Sequence, residues 1–300
     1  MTCDAHVHFF SPTFFAGLAA QKSAVDGQVH SAADLVARLG WDDPESLDAL
    51  ADRWQLELDK HDVSRAALIA SLPGDAPAVA AAIKRHPARF VGFFMVDPTK
   101  SDAGDYVARS LDAGLRTVCL FPAMQNYALD DSRVRAIVEI VASHAGTALF
   151  VHCGVLSVGV RKKLGLSSPF DVRFGNPLDL AHLASQFSRL PIIVPHFGSG
   201  LLREALMLAD LCPNVHFDTS SSNAWTKYIP GLTLEQVFAA ALATLGPDRL
   251  LFGTDSSFFP RGWNRDVYAR QRSALEAIGA DPTVQARIFG GNFERLFPLS

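Results

Sequence analysis

The chain has 300 residues, 49% of them hydrophobic, with 27 basic and 31 acidic side chains and a formal net charge of −4. That is ample apolar material for a large core. There is no basic run suited to nucleic acid, and no apolar stretch reaches the roughly 18 residues that span a bilayer. No signal-peptide pattern opens the chain and the four cysteines form no CxxC pair, so a cytoplasmic protein with reduced thiols is expected.

The first predicted strand is TCDAHVHF, residues 2–9. Residues i and i+2 of a strand share a face, so His6 and His8 project side by side and can offer two nitrogens to one metal ion. Residues 10–44 follow and are too long for a βα loop, where about two to six residues is usual. They contain FFSPTFFAGL and one short predicted helix, SAADLVARLG, with Ser31 as its N-cap. Two readings stand side by side: a lid over a binding site, or apolar cover for the flank of the fold. Asp43 and Pro44 then read as N-cap and first residue of a helix over 45–61.

Seven further strands are predicted at 65–71, 90–96, 117–121, 148–153, 191–197, 214–220 and 249–255. Most are continuous apolar runs, as expected for parallel strands buried on both faces. Amphipathic helical stretches separate them, at 75–86, 131–145, 177–188, 200–211 and 234–245. The helix at 177 opens on an Asn176–Pro177 pair. This alternation, without a repeat or a linker, predicts a single-domain α/β fold over 1–300. The fold is a (β/α)8 TIM barrel with a long loop after the first strand.

Chemistry in such barrels sits at the C-terminal ends of the strands. The first strand ends in His6 and His8, the fifth in FVHCG with His152, the sixth in VPHFGSG with His196, and the eighth in LFGTDSS with Asp255. Four strands each stop on an imidazole or carboxylate at one end of one barrel. His216, inside the seventh strand, reads as structural. Cys153, next to His152, should point to the opposite face and is not expected to be a ligand.

DAHVHFF, FVHCG, PHFGSG, NVHFDTS, LLFGTDSSFFP and IFGGNFERLF, in that order from residue 4 to 297, resemble the amidohydrolase superfamily. Within it they are similar to the branch of the aminocarboxymuconate-semialdehyde decarboxylase-like enzymes and several lactonases. The resemblance implies one divalent ion, zinc before manganese or another, held by His6, His8, His152 and Asp255. His196 is implied as a catalytic histidine beside it. Other branches bridge two metals with a lysine after strand four; here that strand ends VCLFPAM, which points to a single ion.

Three nitrogens and one carboxylate leave a coordination position open, as catalytic metals require. The ion can lower the pKa of water to about 7 and polarise a carbonyl. Asp255 can then shuttle the proton, and His196 can polarise the substrate carbonyl or stabilise an oxyanion. Hydrolysis of a lactone or amide is the leading expectation. Non-oxidative decarboxylation of an aromatic or unsaturated acid is the alternative. A barrel that binds metal and ligand without turnover is the third reading, and it would need neither Asp255 nor His196. The expected partner is a small molecule, without nucleic acid or membrane; a homodimer is left open. SVGVRKK follows the fifth strand with Arg161, Lys162 and Lys163. Beyond the later strands, Asn223, Trp225, Phe258 and Arg261 are the candidate substrate-binding residues, and Arg261 is favoured for a carboxylate because guanidinium pairs with it bidentately.

Overall fold

The computed structural model describes residues 1–299. Eight strands form one parallel sheet in sequential order: β1 (Thr2–His8), β2 (Val63–Ala70), β3 (Phe90–Met95), β4 (Thr117–Leu120), β5 (Ala148–Val151), β6 (Ile192–Val194), β7 (Val215–Asp218) and β8 (Leu250–Leu251). Backbone hydrogen bonds close β8 onto β1: Ala5 N to Phe252 O at 2.8 Å, Asp255 N to His6 O at 2.9 Å and His8 N to Ser256 O at 2.7 Å. The fold is a single-domain (β/α)8 barrel. Among the described residues no helix is long and apolar enough to cross a membrane.

Strand periodicity divides the core in two. Inward residues such as Ala67, Ile69, Phe93, Phe150 and Ile193 fill the barrel, and Phe293 and Phe297 from the C-terminal segment join them. Their outward neighbours Leu68, Phe94, Val151 and Val194 pack with the surrounding helices in a larger cluster. Cys153 belongs to this outer cluster, on the face opposite His152.

The first strand departs from simple alternation. Asp4 pairs with Ala66 but Val7 pairs with Leu68, so β1 carries one residue more than β2 across this interval. Such a bulge re-aims the residues beyond it. Without it His6 and His8 would share the outward face of Asp4. With it they face into the barrel. Asp4, fully buried outside, accepts hydrogen bonds from the amides of His6 and Thr254, the Thr254 hydroxyl and the Trp263 indole. It thereby ties β1 to the segment after β8.

Several local expectations are corrected. Residues 10–44 form two helices rather than a loop with one: Pro12–Asp26, capped by Ser11, and Ala32–Leu39, capped by Ser31 with a capping box. The next helix, Leu47–Lys60, takes Ser46 as its N-cap, not Asp43; Ser46 Oγ accepts from Ala49 N at 3.1 Å. Asp43 accepts from Glu45 N in a local turn instead. Asn176–Pro177 does open a helical segment, split into a 3-10 turn and a helix over Ala181–Gln186. The sixth, seventh and eighth strands are shorter than predicted because their last residues leave the ladder to form the site. Helices Ala103–Asp112 and Arg265–Ala277 lie outside the predicted set; the second buries the row Val267, Gln271, Ala274 and Leu275, in which glutamine and alanine dilute the apolar signal.

The two helices after β1 and the segment after β5 build a third, separate core. Phe14, Phe15, Leu18, Leu35, Val160 and Leu164 pack there. This cap is joined to the barrel through Ser11, whose hydroxyl donates to Asp75 at 2.7 Å, and through Asp42 N, which donates to Phe259 O at 3.0 Å.

Candidate functional site

The cap roofs a cavity of about 650 Å³ over the C-terminal ends of the strands. His6, His8, His152, His196 and Asp255 all line it. Three of them converge. His8 Nε2 lies 3.1 Å from Asp255 Oδ1, His6 Nε2 lies 3.7 Å from the same oxygen, and the two Nε2 atoms are 3.3 Å apart.

The partners of the other ring nitrogens fix what converges. His6 Nδ1 faces Asp218 Oδ2 at 2.6 Å, an acceptor, so Nδ1 carries the proton and donates. His8 Nδ1 lies 2.6 Å from Ser71 Oγ, whose own hydrogen is directed to Ile69 O at 3.1 Å, so His8 Nδ1 donates as well. In their neutral form both rings therefore present lone pairs at Nε2, facing a carboxylate oxygen. Three acceptors then face one another, an arrangement that a cation between them, a proton or a metal ion, relieves. Imidazole nitrogens with carboxylate and hydroxyl partners behind them are the usual construction of a divalent-metal site. The ligand atoms of His6, His8 and Asp255 all lie within 4.8 Å of one another, so the residues fit such an ion.

With no ion between them, the electrostatics of the three groups pull in different directions. Burial favours a neutral His6 ring, but the charge and hydrogen bond of Asp218 override it and raise the pKa. Burial lowers the pKa of His8. Burial works to raise Asp255, yet the His8 hydrogen bond and the neighbouring His6 ring hold its carboxyl well below the usual range.

His152 stands outside the converging triad, although the resemblance implied it as a ligand. Its ring stacks on Phe121 at 5.5 Å and meets His196 edge-on at 5.3 Å, and its buried Nδ1 has no partner. Burial, reinforced by the adjacent His196 and His6 rings, drives its pKa far down. His196 Nδ1 lies 3.2 Å from Ser220 O and 2.9 Å from Ser220 Oγ. A carbonyl only accepts, so Nδ1 donates and Nε2 is left as a lone pair. The expected role as a hydrogen-bond donor to a carbonyl needs the opposite protonation of that nitrogen. Burial and the neighbouring His6 ring lower the His196 pKa. In the neutral form Nε2 can accept a proton or a ligand bond, and a hydrogen bond donated to a substrate carbonyl would require the ring to be protonated.

The backbone here is unusual. His196, Phe197 and Asp255 have φ of 55°, 53° and 60°. Non-glycine residues in this region are strained and cluster at functional sites. Gly154 is needed below the turn, since a Cβ there would collide with the carbonyl oxygens of Gly198 and Ser199.

The substrate-binding candidates separate. Arg261 lines the cavity and donates from Nη2 to Asp255 O at 3.2 Å and Ser257 Oγ at 2.9 Å. Phe258 lines it too, stacked on Trp41 with centroids 4.1 Å apart. Trp225 lines the opposite loop, and its indole N–H donates to Asn223 Oδ1 at 2.9 Å. Asn223 does not line the cavity: its amide nitrogen donates to the carbonyls of Thr219 and Ser221, so it holds the loop and Trp225 in place. His216 lies on β7, with Nδ1 donating to Asn214 O, as a structural residue. Asp218, Ser71 and Ser220 were not expected. The only signal for Asp218 was an acidic residue closing the strand NVHFD; nothing local marks the serines.

Three solved structures share the fold across whole chains. A candidate 2-pyrone-4,6-dicarboxylic acid hydrolase of Pseudomonas putida is 18% identical, with a TM-score of 0.62, covering 100% of this chain and 98% of that one. An amidohydrolase of Burkholderia multivorans with bound zinc is 15% identical, with a TM-score of 0.65, covering 100% of both chains. A 4-oxalomesaconate hydratase of Rhodopseudomonas palustris is 15% identical, with a TM-score of 0.61, covering 99% of this chain and 96% of that one. A search of curated proteins gives no match. The amidohydrolase family model matches residues 3–299, so the barrel with its His6, His8 and Asp255 cluster belongs to the amidohydrolase family.

Proposed function

We propose that this protein is a divalent-metal-dependent hydrolase that opens a lactone, amide or related carbonyl bond of a small carboxylate-bearing substrate. One observation carries the reading: a potential ligand atom from each of His6, His8 and Asp255 converges in a cavity that also holds Arg261. Those residues would hold the ion, with His152 lining the same cavity as the further imidazole that the family resemblance implies. When bound, the ion supplies Lewis acidity, lowering the pKa of water and polarising a carbonyl. The Asp255 carboxylate, held ionised, takes the proton of the attacking water and returns it to the leaving atom. Ser220 keeps the His196 ring oriented through Nδ1, beside His6 with ring centroids 5.1 Å apart. Arg261, beside the Asp255 backbone, receives the substrate carboxylate. The cap residues Phe10, Phe14 and Trp41 limit water in the cavity. The neighbouring folds of the candidate pyrone-dicarboxylate hydrolase and the hydratase support small carboxylates as the class.

The test is metal content together with turnover on a panel of lactones, amides and unsaturated carboxylic acids, with product acid and CO2 both measured. Acid without CO2, lost on chelation and restored by added metal, is expected. CO2 release would assign decarboxylation instead, and turnover indifferent to chelation would overturn metal dependence.

A further inference from the structure

The cavity differs from one side to the other. Among the described residues that line it, the lysine, arginine and carboxylate side chains are Lys163, Lys227, Asp255 and Arg261. Asp255 and Arg261 follow β8, and Lys227 follows β7. Lys163 follows β5 in the chain, but its ammonium reaches over the rings of Trp41 and Phe258, 5.6 and 5.7 Å from their centroids, and so also stands on the β8 side. The strands run in sequential order and β8 closes onto β1, so β4 lies across the barrel axis from β8. The lining there is apolar: Met95 at the end of β3, Phe121 and Met124 after β4, and Leu156 after β5. Met95 and Phe121 belong to the inner barrel core, and Met124 and Leu156 pack on it while partly exposed. This wall reaches the imidazoles. Phe121 stacks on His152 at 5.5 Å, and Phe150, 6.2 Å from Phe121, meets His6 edge-on at 5.4 Å. Main-chain groups of the turn are already paired, since Phe121 O accepts from the amides of Met124 and Gln125 at 3.0 and 3.1 Å. A carboxylate set against this wall would lose hydration without gaining a partner, whereas an apolar group gains from its burial. Two flexible thioethers let the wall fit an aryl or branched shape.

We propose that the wall from β3 to β5 is the specificity pocket of the site, that it takes an uncharged aryl or branched alkyl group, and that the substrate is therefore an amphipathic monocarboxylate rather than a polyacid. This rests on the proposed function for where the carboxylate and the reacting carbonyl lie, at Arg261 and at the His6, His8 and Asp255 cluster. The experiment is calorimetric titration of the purified full-length protein with butanoate, glutarate and 4-phenylbutanoate, which share one chain and differ in its end group. It is run on the wild type, Met124→Gln and Leu156→Gln, whose partly exposed positions tolerate a polar side chain. The phenyl acid is expected to bind roughly 30-fold more tightly than butanoate, the scale of burying one ring. Glutarate should bind no more tightly than butanoate. Each variant should cut the phenyl advantage by about threefold or more and leave butanoate within about twofold, because only the end group meets the wall. No detectable binding of the phenyl acid, glutarate binding more tightly than it, or a phenyl advantage unchanged in both variants would overturn the pocket. The ratio between acids cancels whatever holds the shared carboxylate, so the wall is tested independently of Arg261 and of turnover. A lactone or amide hydrolase without phenyl preference removes the pocket alone. Phenyl preference without hydrolysis removes the reaction alone.

Discussion

The barrel and the cap are built from similar residues but differ in how they are held. Barrel residues such as Phe93, Phe150 and Ile69 lie inside a hydrogen-bonded ring of strands and have essentially no exposure. The cap has no sheet. Phe14, Phe15, Leu18 and Val160 retain 3–5% exposure, and the cap core is far smaller. The barrel floor places the His6, His8 and Asp255 atoms proposed to hold a metal ion, where small displacements are costly. The cap supplies Trp41, Phe10 and Lys163 to the walls, where a ligand can adapt its contacts. Rigid support for chemistry and a separately packed cover for recognition is a division that loops on a scaffold commonly adopt.

The largest expected effect tests the floor. His8→Ala removes one of the converging nitrogens and should lose stoichiometric metal and measurable turnover together, checked by elemental analysis beside an activity assay. Full metal content in the variant would take His8 out of the ligand set. Next comes the difference in cohesion. Phe93→Ala should lower global stability by about 3–5 kcal/mol, a cost typical of emptying a close-packed site. Phe15→Ala should instead open the cap locally, speeding proteolysis within residues 10–44 while moving the denaturant midpoint far less. Equal midpoint losses for both variants would show one cooperative unit and erase the distinction.

A smaller effect distinguishes holding a ligand from being one. Asp218→Asn keeps the shape behind His6 but weakens the acceptor that orients its ring. Metal affinity should fall about 10- to 100-fold and activity should return with excess metal. Failure to recover would give Asp218 a part in the chemistry itself. The smallest effect sharpens the wall's role. Arg261→Ala should raise KM about 10- to 100-fold for an anionic substrate, with kcat nearly unchanged. A matching fall in kcat would mean that Arg261 acts on the reacting bond.

The sequence by itself determined the architecture and marked the polar residues that close its strands. Eight apolar runs alternating with amphipathic stretches fit parallel strands covered by helices, and their number fits a closed barrel. Strand-end histidines and Asp255 were legible because polar groups closing apolar strands stand out. Local signals also found the Ser31 cap, but Asp43–Pro44, which has the residue types of a helix start, gives way to Ser46, the cap used three residues on. Tertiary structure decided what depends on residues far apart in the chain. The extra residue between Asp4 and Val7 turns His6 and His8 inward, and no pattern within β1 announces it, since the register is set by pairing with β2. Asp218, 212 residues from His6, fixes which of its nitrogens is free for a metal. Asn223 was taken from substrate contact because its amide satisfies the backbone of its own loop. Residues 10–44 folded into a cap because their apolar faces find Val160 and Leu164 beyond β5, a pairing that becomes available only once the barrel has brought both segments to the same end.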